Sequence, residues 1–301
     1  MLLSEAASKI EHIAGVPLQP EVAAKLLELY LAKGALATTA IEGNTLSEDQ
    51  VLKHMEGELK LPPSQQYLAQ EVDNIIAACQ WIAESAELDG KVTPRLIKTF
   101  NQRVLDGLPL EDPETRIGEF RTRSVVVGNV YRGAPAEDLD YLVSQLCGWL
   151  DSEDFVATQG LETIHAIVKA VLAHLHVAWI HPFGDGNGRT SRLLEFYLLL
   201  SAGIPQPATH LLSNHYNATR PQYYSELERA SKSGGDILPF LEYAVSGLVE
   251  GLKGQLAYIR DQQWEVACRI MCMSNSGIEA VRHISGKETC FWNYRDIHFL
   301  Q

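Results

Sequence analysis

Apolar residues recur at three- and four-residue intervals along most of the chain, the period of helices that each bury one face. Residues 20–33 (PEVAAKLLELYLAK) carry this spacing. Ser47 and Gln50 have the arrangement of a capping box that opens a helix running to Met55. The pattern continues through 65–85 and through 93–105, the latter with Pro94 at its start, and again through 136–150. Residues 161–180 (LETIHAIVKAVLAHLHVAWI) are apolar on nearly every face, which predicts a helix in the middle of a bundle. A further apolar helix, TSRLLEFYLLLSAG, begins near Thr190 and closes at Gly203, with Pro205 just beyond. A last helical region covers roughly 221–273.

One stretch departs from this period. RTRSVVVGNVYRGAP (121–135) places β-branched runs on both sides of Gly128-Asn129, a dipeptide suited to a primed turn, and predicts a small hairpin. The expected architecture is therefore all-α, a helical bundle with one β-hairpin beside it. There is no internal repeat and no low-complexity linker, and the tail after Ser274 has weak periodicity and no assignable role.

Composition narrows the class. The chain has 301 residues and a formal net charge of −13, with 46% hydrophobic and 21% charged residues. That is the balance of a soluble globular protein, acidic enough overall to disfavour nucleic acid and anionic membrane as partners. The five cysteines (Cys79, Cys147, Cys268, Cys272, Cys290) form no CxxC pair, and no secretory segment opens the sequence, so reduced thiols in a cytoplasm are expected. No apolar run is expected to reach the length of a membrane span.

The densest chemistry lies in HPFGDGNGRTSR, residues 181–192. A Walker A loop fails here, because Phe183 stands where its first glycine belongs and Arg189 where its lysine belongs. An EF-hand counted from Asp185 fails too: Arg189, Thr190 and Phe196 occupy positions five, six and twelve. His174, His176 and His181 lack zinc-site spacing, and the first two fit as core histidines. What remains is an anion site. Gly184, Gly186 and Gly188 let backbone N–H groups converge between two helices, and the second helix adds the positive end of its dipole. Arg189 and Arg192 can fork onto phosphate oxygens, Asp185 offers a hard oxygen to Mg²⁺, and His181 is the group able to accept a proton near neutrality.

These twelve residues resemble the signature of the Fic family (filamentation induced by cAMP), H-x-F-x-[DE]-G-N-G-R-x-x-R, at every fixed position, and the similarity extends over roughly residues 30–250. The resemblance implies transfer of AMP from ATP to a hydroxyl side chain of another protein. It makes His181 the base that deprotonates the hydroxyl and Asp185 the Mg²⁺ ligand. It makes Gly186, Asn187 and Gly188 the phosphate cradle, continued by Thr190 and Ser191, and puts Arg189 and Arg192 on the β- and γ-phosphates. It also implies a hairpin flap whose Val127, Gly128, Asn129 and Val130 line the nucleotide and whose strand edge docks the target. Tyr223 and Tyr224 resemble the adenine-side tyrosines. Ser231 stands where some relatives carry asparagine.

A second motif follows from the first. In TTAIEGN (38–44), Thr38 and Glu42 share one helix face, and by itself the stretch is a helix end with Gly43 just beyond it. Beside the Fic signature it resembles the inhibitory motif [ST]-x-x-x-E-[GN] of the family's second class, with Thr38, Glu42 and Gly43 at the matching positions. Glu42 would then border the nucleotide, pair with Arg192 in the γ-phosphate's place and hold the enzyme off. Two alternatives stand beside this autoinhibited transferase. Glu42 could activate water and strip AMP from modified proteins, or the chain could be a non-catalytic nucleotide-binding regulator. The expected organisation is N-terminal helices with the inhibitory motif (1–60), a Fic core (61–255) and a C-terminal helical region or tail (256–301). A homodimer is compatible with this picture, and no winged helix is legible after Ser274.

Overall fold

A computed structural model describes residues 1–85, 88–110, 112–127 and 131–274, apart from the side chains of 126, 127, 131, 132 and 265–274. Two compact units divide the chain, Met1–Gln255 and Leu256–Gln301. The first is a helical bundle. Its elements are α1 (Leu2–Gly15), α2 (Pro20–Ile41), α3 (Glu48–Met55), α4 (Gln66–Ala83), α5 (Pro94–Val104), α6 (Leu139–Leu150), α7 (Glu162–Ile180), α8 (Asn187–Ser201), α9 (Gln206–Thr209), α10 (Leu211–Ala218) and α11 (Arg220–Lys232). The last helix, α12 (Leu238–Ser274), runs on into the second unit.

Local signals position the ends. Ser47 and Gln50 form the capping box of α3, the serine hydroxyl accepting from Gln50 N–H and the glutamine oxygen from Ser47 N–H. The Thr93 hydroxyl accepts from Leu96 N–H at the start of α5, where Pro94 begins the helix. At the centre, α7 and α8 pack on each other, with α5 and α4 against α8, α6 and α1 against α7, and α2 against α4 and α10. Val171, Ala173, Leu175 and Leu194 are fully buried in this layer. By length and composition α7 does reach the requirements of a membrane span, contrary to expectation; its packing between α6, α8 and α1 accounts for that apolarity as core.

Four further expectations are corrected. Helix α1 was not foreseen: its apolar stripe of Ala6, Ile10 and Ile13 is short, and no side chain caps its start. Helix α2 continues past Lys33 to Ile41, so the TTAIEGN stretch begins inside a helix. The region 221–273 is broken at Gly234 and Gly235, whose φ values of 73° and 113° favour glycine and separate α11 from α12. Lastly, strands β1 (Val126–Val127) and β2 (Tyr131–Arg132) pair antiparallel with Val127 opposite Tyr131, a register that leaves three residues between them where a two-residue turn was expected. Gly128, Asn129 and Val130 lie outside the described residues.

Candidate active site

The buried helix α7 ends at His181, whose φ of 51° makes it the one non-glycine residue in the left-handed region among the described residues. That conformation is costly for a histidine. It is held because the peptide is bonded on both sides. Arg121 Nε donates to His181 O at 2.8 Å, and Arg121 N–H donates to Pro182 O at 3.0 Å. The ring's Nδ1 lies 3.4 Å from Ala178 O, so the tautomer with the proton on Nδ1 leaves Nε2 as an acceptor. Burial pushes the imidazole down to about 4; Arg121 works in the same direction, while Ala178 O, Glu42 and Asp185 oppose it. His181 is therefore neutral at pH 7.

The loop that follows differs from the expected nest. Helix α8 begins at Asn187, three residues before Thr190, and of its glycines only Gly186 has a positive φ, 75°. Gly184 is small for another reason: a Cβ there would lie 2.5 Å from Thr115 Oγ1. Asn187, 3% exposed, spends its side chain on the loop itself, its Oδ1 accepting from Phe183 N–H and its Nδ2 donating to Phe183 O. Thr190 Oγ1 accepts from Asn101 and Ser191 Oγ donates to Gly188 O, and both residues are fully buried within α8. What the loop does offer is backbone. Gly186 caps α8 with no side-chain bond, and the first N–H groups of the helix are left for an anion.

An anion is already there. Glu42 Oε1 lies so close to α8 that a Cβ built on Gly188 would stand 2.2 Å from it. The same oxygen accepts from Arg192 Nη2 at 2.5 Å, and Thr38 O accepts from that nitrogen at 3.0 Å. Helix α2 delivers the glutamate by ending at it: Glu42 is the C-cap, Gly43 follows at φ 109°, and Gly43 and Asn44 donate back to Ala40 O and Thr39 O. Glu42 is thus both the end of α2 and the partner of Arg192. A carboxylate at a helix C-terminus is electrostatically unfavourable, and here Arg192 and the α8 N-terminus offset it. Burial alone would raise the Glu42 pKa, but Arg192, with smaller help from Arg189 and His181, holds it below the ordinary carboxylate value. Arg192 itself is 1% exposed, and its Nε and Nη1 are buried without a hydrogen-bond partner.

Sequence reasoning missed three residues of this site. Glu71 on α4 accepts from Arg189 Nη1 at 2.9 Å through Oε1 and from Asn44 Nδ2 at 2.9 Å through Oε2, while Arg189 Nη2 reaches Asp185 Oδ1 at 3.1 Å. Asn101 on α5 donates to Asp185 O and accepts from Gly118 N–H, bracing the loop from below. Arg121 is the third. A polar residue on the buried face of α4 or α5 is a signal for all but the last. The two tyrosines separate. Tyr223 is 2% exposed, bonds His174 Nε2 at 2.9 Å and stacks on Tyr216, a core role in place of an adenine contact. Tyr224 is exposed, and its hydroxyl donates to Ile41 O, next to Glu42. His174 is a core histidine, whereas His176 is half-buried with Nδ1 2.8 Å from Leu172 O.

Comparison with known proteins places the segment that holds this site. Residues 91–199 match the Fic/DOC family profile, a segment that holds Asn101, Arg121 and the whole 181–192 loop. That segment belongs to the Fic/DOC family. It is 33% identical over 208 residues to the protein adenylyltransferase Fic of Culex quinquefasciatus, covering 68% of this chain and 38% of that one. It is 31% identical over 244 residues to the protein of the same name in Drosophila grimshawi, covering 81% and 46%. The chain therefore spans less than half the length of these relatives. In fold it is similar to a Fic-1 fragment from C. elegans, with a TM-score of 0.69 at 24% identity over 87% of this chain and 72% of that one. A Fic domain containing signaling protein from Bacteroides thetaiotaomicron gives 0.67 at 23% identity over 87% and 97%.

Proposed function

We propose that this Fic protein transfers AMP from ATP to a hydroxyl side chain of a target protein, and that Glu42 holds it in a resting state. The observation that carries the reading is one cluster. A neutral His181 with a free Nε2 sits beside an uncapped helix N-terminus, and that helix carries two buried arginines, Arg192 paired with Glu42 and Arg189 with Glu71 and Asp185. In the reaction, His181 Nε2 takes the proton of the hydroxyl, whose oxygen attacks the α-phosphorus of ATP. The bond to the β-phosphate oxygen breaks and pyrophosphate leaves. The α8 backbone N–H groups and Arg189 hold the phosphates, and Arg192 holds the terminal one once Glu42 has withdrawn. The strand pair and the residues between its strands serve as the target-docking flap, which would add an edge to an extended segment. Residues 1–60 then form the regulatory segment and 61–255 the catalytic core, with no role assigned to 256–301. A cytoplasmic location and a homodimer are compatible with this reading.

Mg²⁺ fits the donors present. No group of three His, Cys, Asp or Glu that could cage a metal occurs among the described residues. Asp185 is 42% exposed, and its bonds to Gly186 N–H and Arg189 are made through Oδ1, so neither uses Oδ2. One carboxylate with substrate phosphates is the set Mg²⁺ favours, and the ion would neutralise charge on those phosphates. Asp185→Asn is expected to lower transfer about a hundredfold and to abolish the enhancement of ATP binding by Mg²⁺, read by titration with and without the metal. Unchanged metal dependence would assign the ion to another residue.

ATP labelled at the α-phosphate or at the γ-phosphate, incubated with the protein and a lysate, separates adenylyl from phosphoryl transfer: only the α-label should appear on protein. The base limb of kcat/KM is a second test. Because His181 is pushed down to about 4, its neutral form is complete above about pH 5, so the rate should be flat from there to neutrality and fall with acid below. A limb near 6.5 would mean a solvated imidazole. A second reading has its own support: the ionised Glu42 carboxylate, 31% exposed, could activate water for removal of AMP from a modified protein.

A further inference from the structure

Arg121 lies outside the signature loop, between α5 and β1, yet its guanidinium touches both halves of the proposed reaction. It is 9% exposed. Its Nε donates to His181 O at 2.8 Å and its Nη2 reaches Ile180 O at 3.4 Å, the last carbonyls of α7. The same group donates from Nη1 to Arg123 O at 2.6 Å and from Nη2 to Ala134 O at 2.5 Å, carbonyls on the two chain segments that lead into β1 and out of β2. Backbone bonds close the ring around it: Ala134 N–H donates to Ile180 O and Gly133 N–H to Val125 O. Gly133 makes room, since a Cβ there would lie 3.0 Å from Arg121 Nη2 and 3.2 Å from His181 Cβ. Only a planar fork of five donors can serve four carbonyls that diverge in this way; an ammonium cannot.

We infer that Arg121 is a positioning residue that fixes the base of the β1–β2 segment to the peptide of His181, so that a docked hydroxyl and the histidine nitrogen are held in one frame. The inference rests on the transferase reading given above. Held this way, His181 keeps its left-handed backbone, and the cationic fork lies at the C-terminus of α7, where the helix dipole favours it. The charges that face His181 are Arg121, Glu42 from α2 and Asp185 from its own loop. Arg121 disfavours the protonated ring, and the two carboxylates favour it.

The test is run in the Glu42→Gly protein, whose activity is measured first with α-labelled ATP. On that background Arg121→Lys should lower kcat about ten- to a hundredfold while KM for ATP stays within about twofold and the base limb stays put, because the charge remains. Arg121→Met should lower kcat as well and move the base limb upward from that of the Glu42→Gly parent, because Arg121 disfavours the protonated ring. A kcat for Arg121→Lys within about twofold of the parent overturns the inference, as does a loss matched by lost ATP affinity or a lower melting temperature. If the Glu42→Gly parent itself transfers nothing, the transferase reading falls, and hydrogen exchange decides the coupling alone. Faster exchange at the Gly133 and Ala134 amides in Arg121→Lys supports it, and unchanged exchange overturns it.

Discussion

Replacing Glu42 with glycine is expected to raise labelling of protein by α-labelled ATP about ten- to a hundredfold, if the Glu42–Arg192 pair is worth about 1.4–2.7 kcal/mol. The geometry gives the sign. Glu42 Oε1 occupies both Arg192 Nη2 and the space over Gly188 at the start of α8, where an anion is best bound. Removing the carboxylate vacates both at once. Arg192 does not collapse, because Thr38 O still accepts from Nη2, and its unpartnered Nε and Nη1 become available to a phosphate. Arg192→Ala added to the glycine variant should cancel the gain. Under the AMP-removal reading the same substitution instead abolishes stripping of a modified substrate. Flat labelling together with unchanged stripping would leave Glu42 as a helix end and nothing more.

His181→Ala should lower transfer about 10²–10⁴-fold, the usual contribution of a positioned general base, while Mg·ATP affinity stays within about twofold. The imidazole stands at the end of α7, ahead of the first N–H groups of α8, and none of its hydrogen bonds leads to Arg189 or Arg192. Its loss therefore leaves the phosphate-binding groups in place. Calorimetric titration of ATP beside the labelling assay checks both halves in the Glu42→Gly background. Retained transfer would remove the base assignment, and affinity lost in proportion would make His181 part of the nucleotide pocket.

How much of this was legible in the sequence depended on whether a residue acts through its own segment or through a distant one. The capping box at Ser47, the buried character of α7 and the Gly203 stop after α8 are local, and they stand where the pattern puts them. The 181–192 loop was legible as an anion site because its residue types are adjacent. The division of labour inside it was not. Asn187 looks like a ligand until Phe183, four residues back, is seen to consume its amide. Tyr223 looks like a base-stacking residue until His174 and Tyr216 claim it. Glu71, Asn101 and Arg121 act across 118, 84 and 60 residues of sequence, a separation that no periodicity encodes.

Gly34 has a bearing on how the resting state can be left. A Cβ at Gly34 would fall 2.2 Å from the His210 ring, which is wedged against the backbone of α2 and is fully desolvated, so burial pushes it down to about 3 and keeps it neutral. A helix keyed in this manner can neither slide nor roll as a rod, because any screw motion drives a side-chain-bearing residue into the imidazole. Withdrawal of Glu42 can then proceed downstream of the key, by rotation of its side chain or by fraying of the last turn of α2. Fraying is a transition of the backbone hydrogen bonds that Glu42, Gly43 and Asn44 give to Thr39 and Ala40, and it sets a population of open protein without any rearrangement of the bundle. An activator would need to reach only this turn, and a side-chain staple across it would act as a brake.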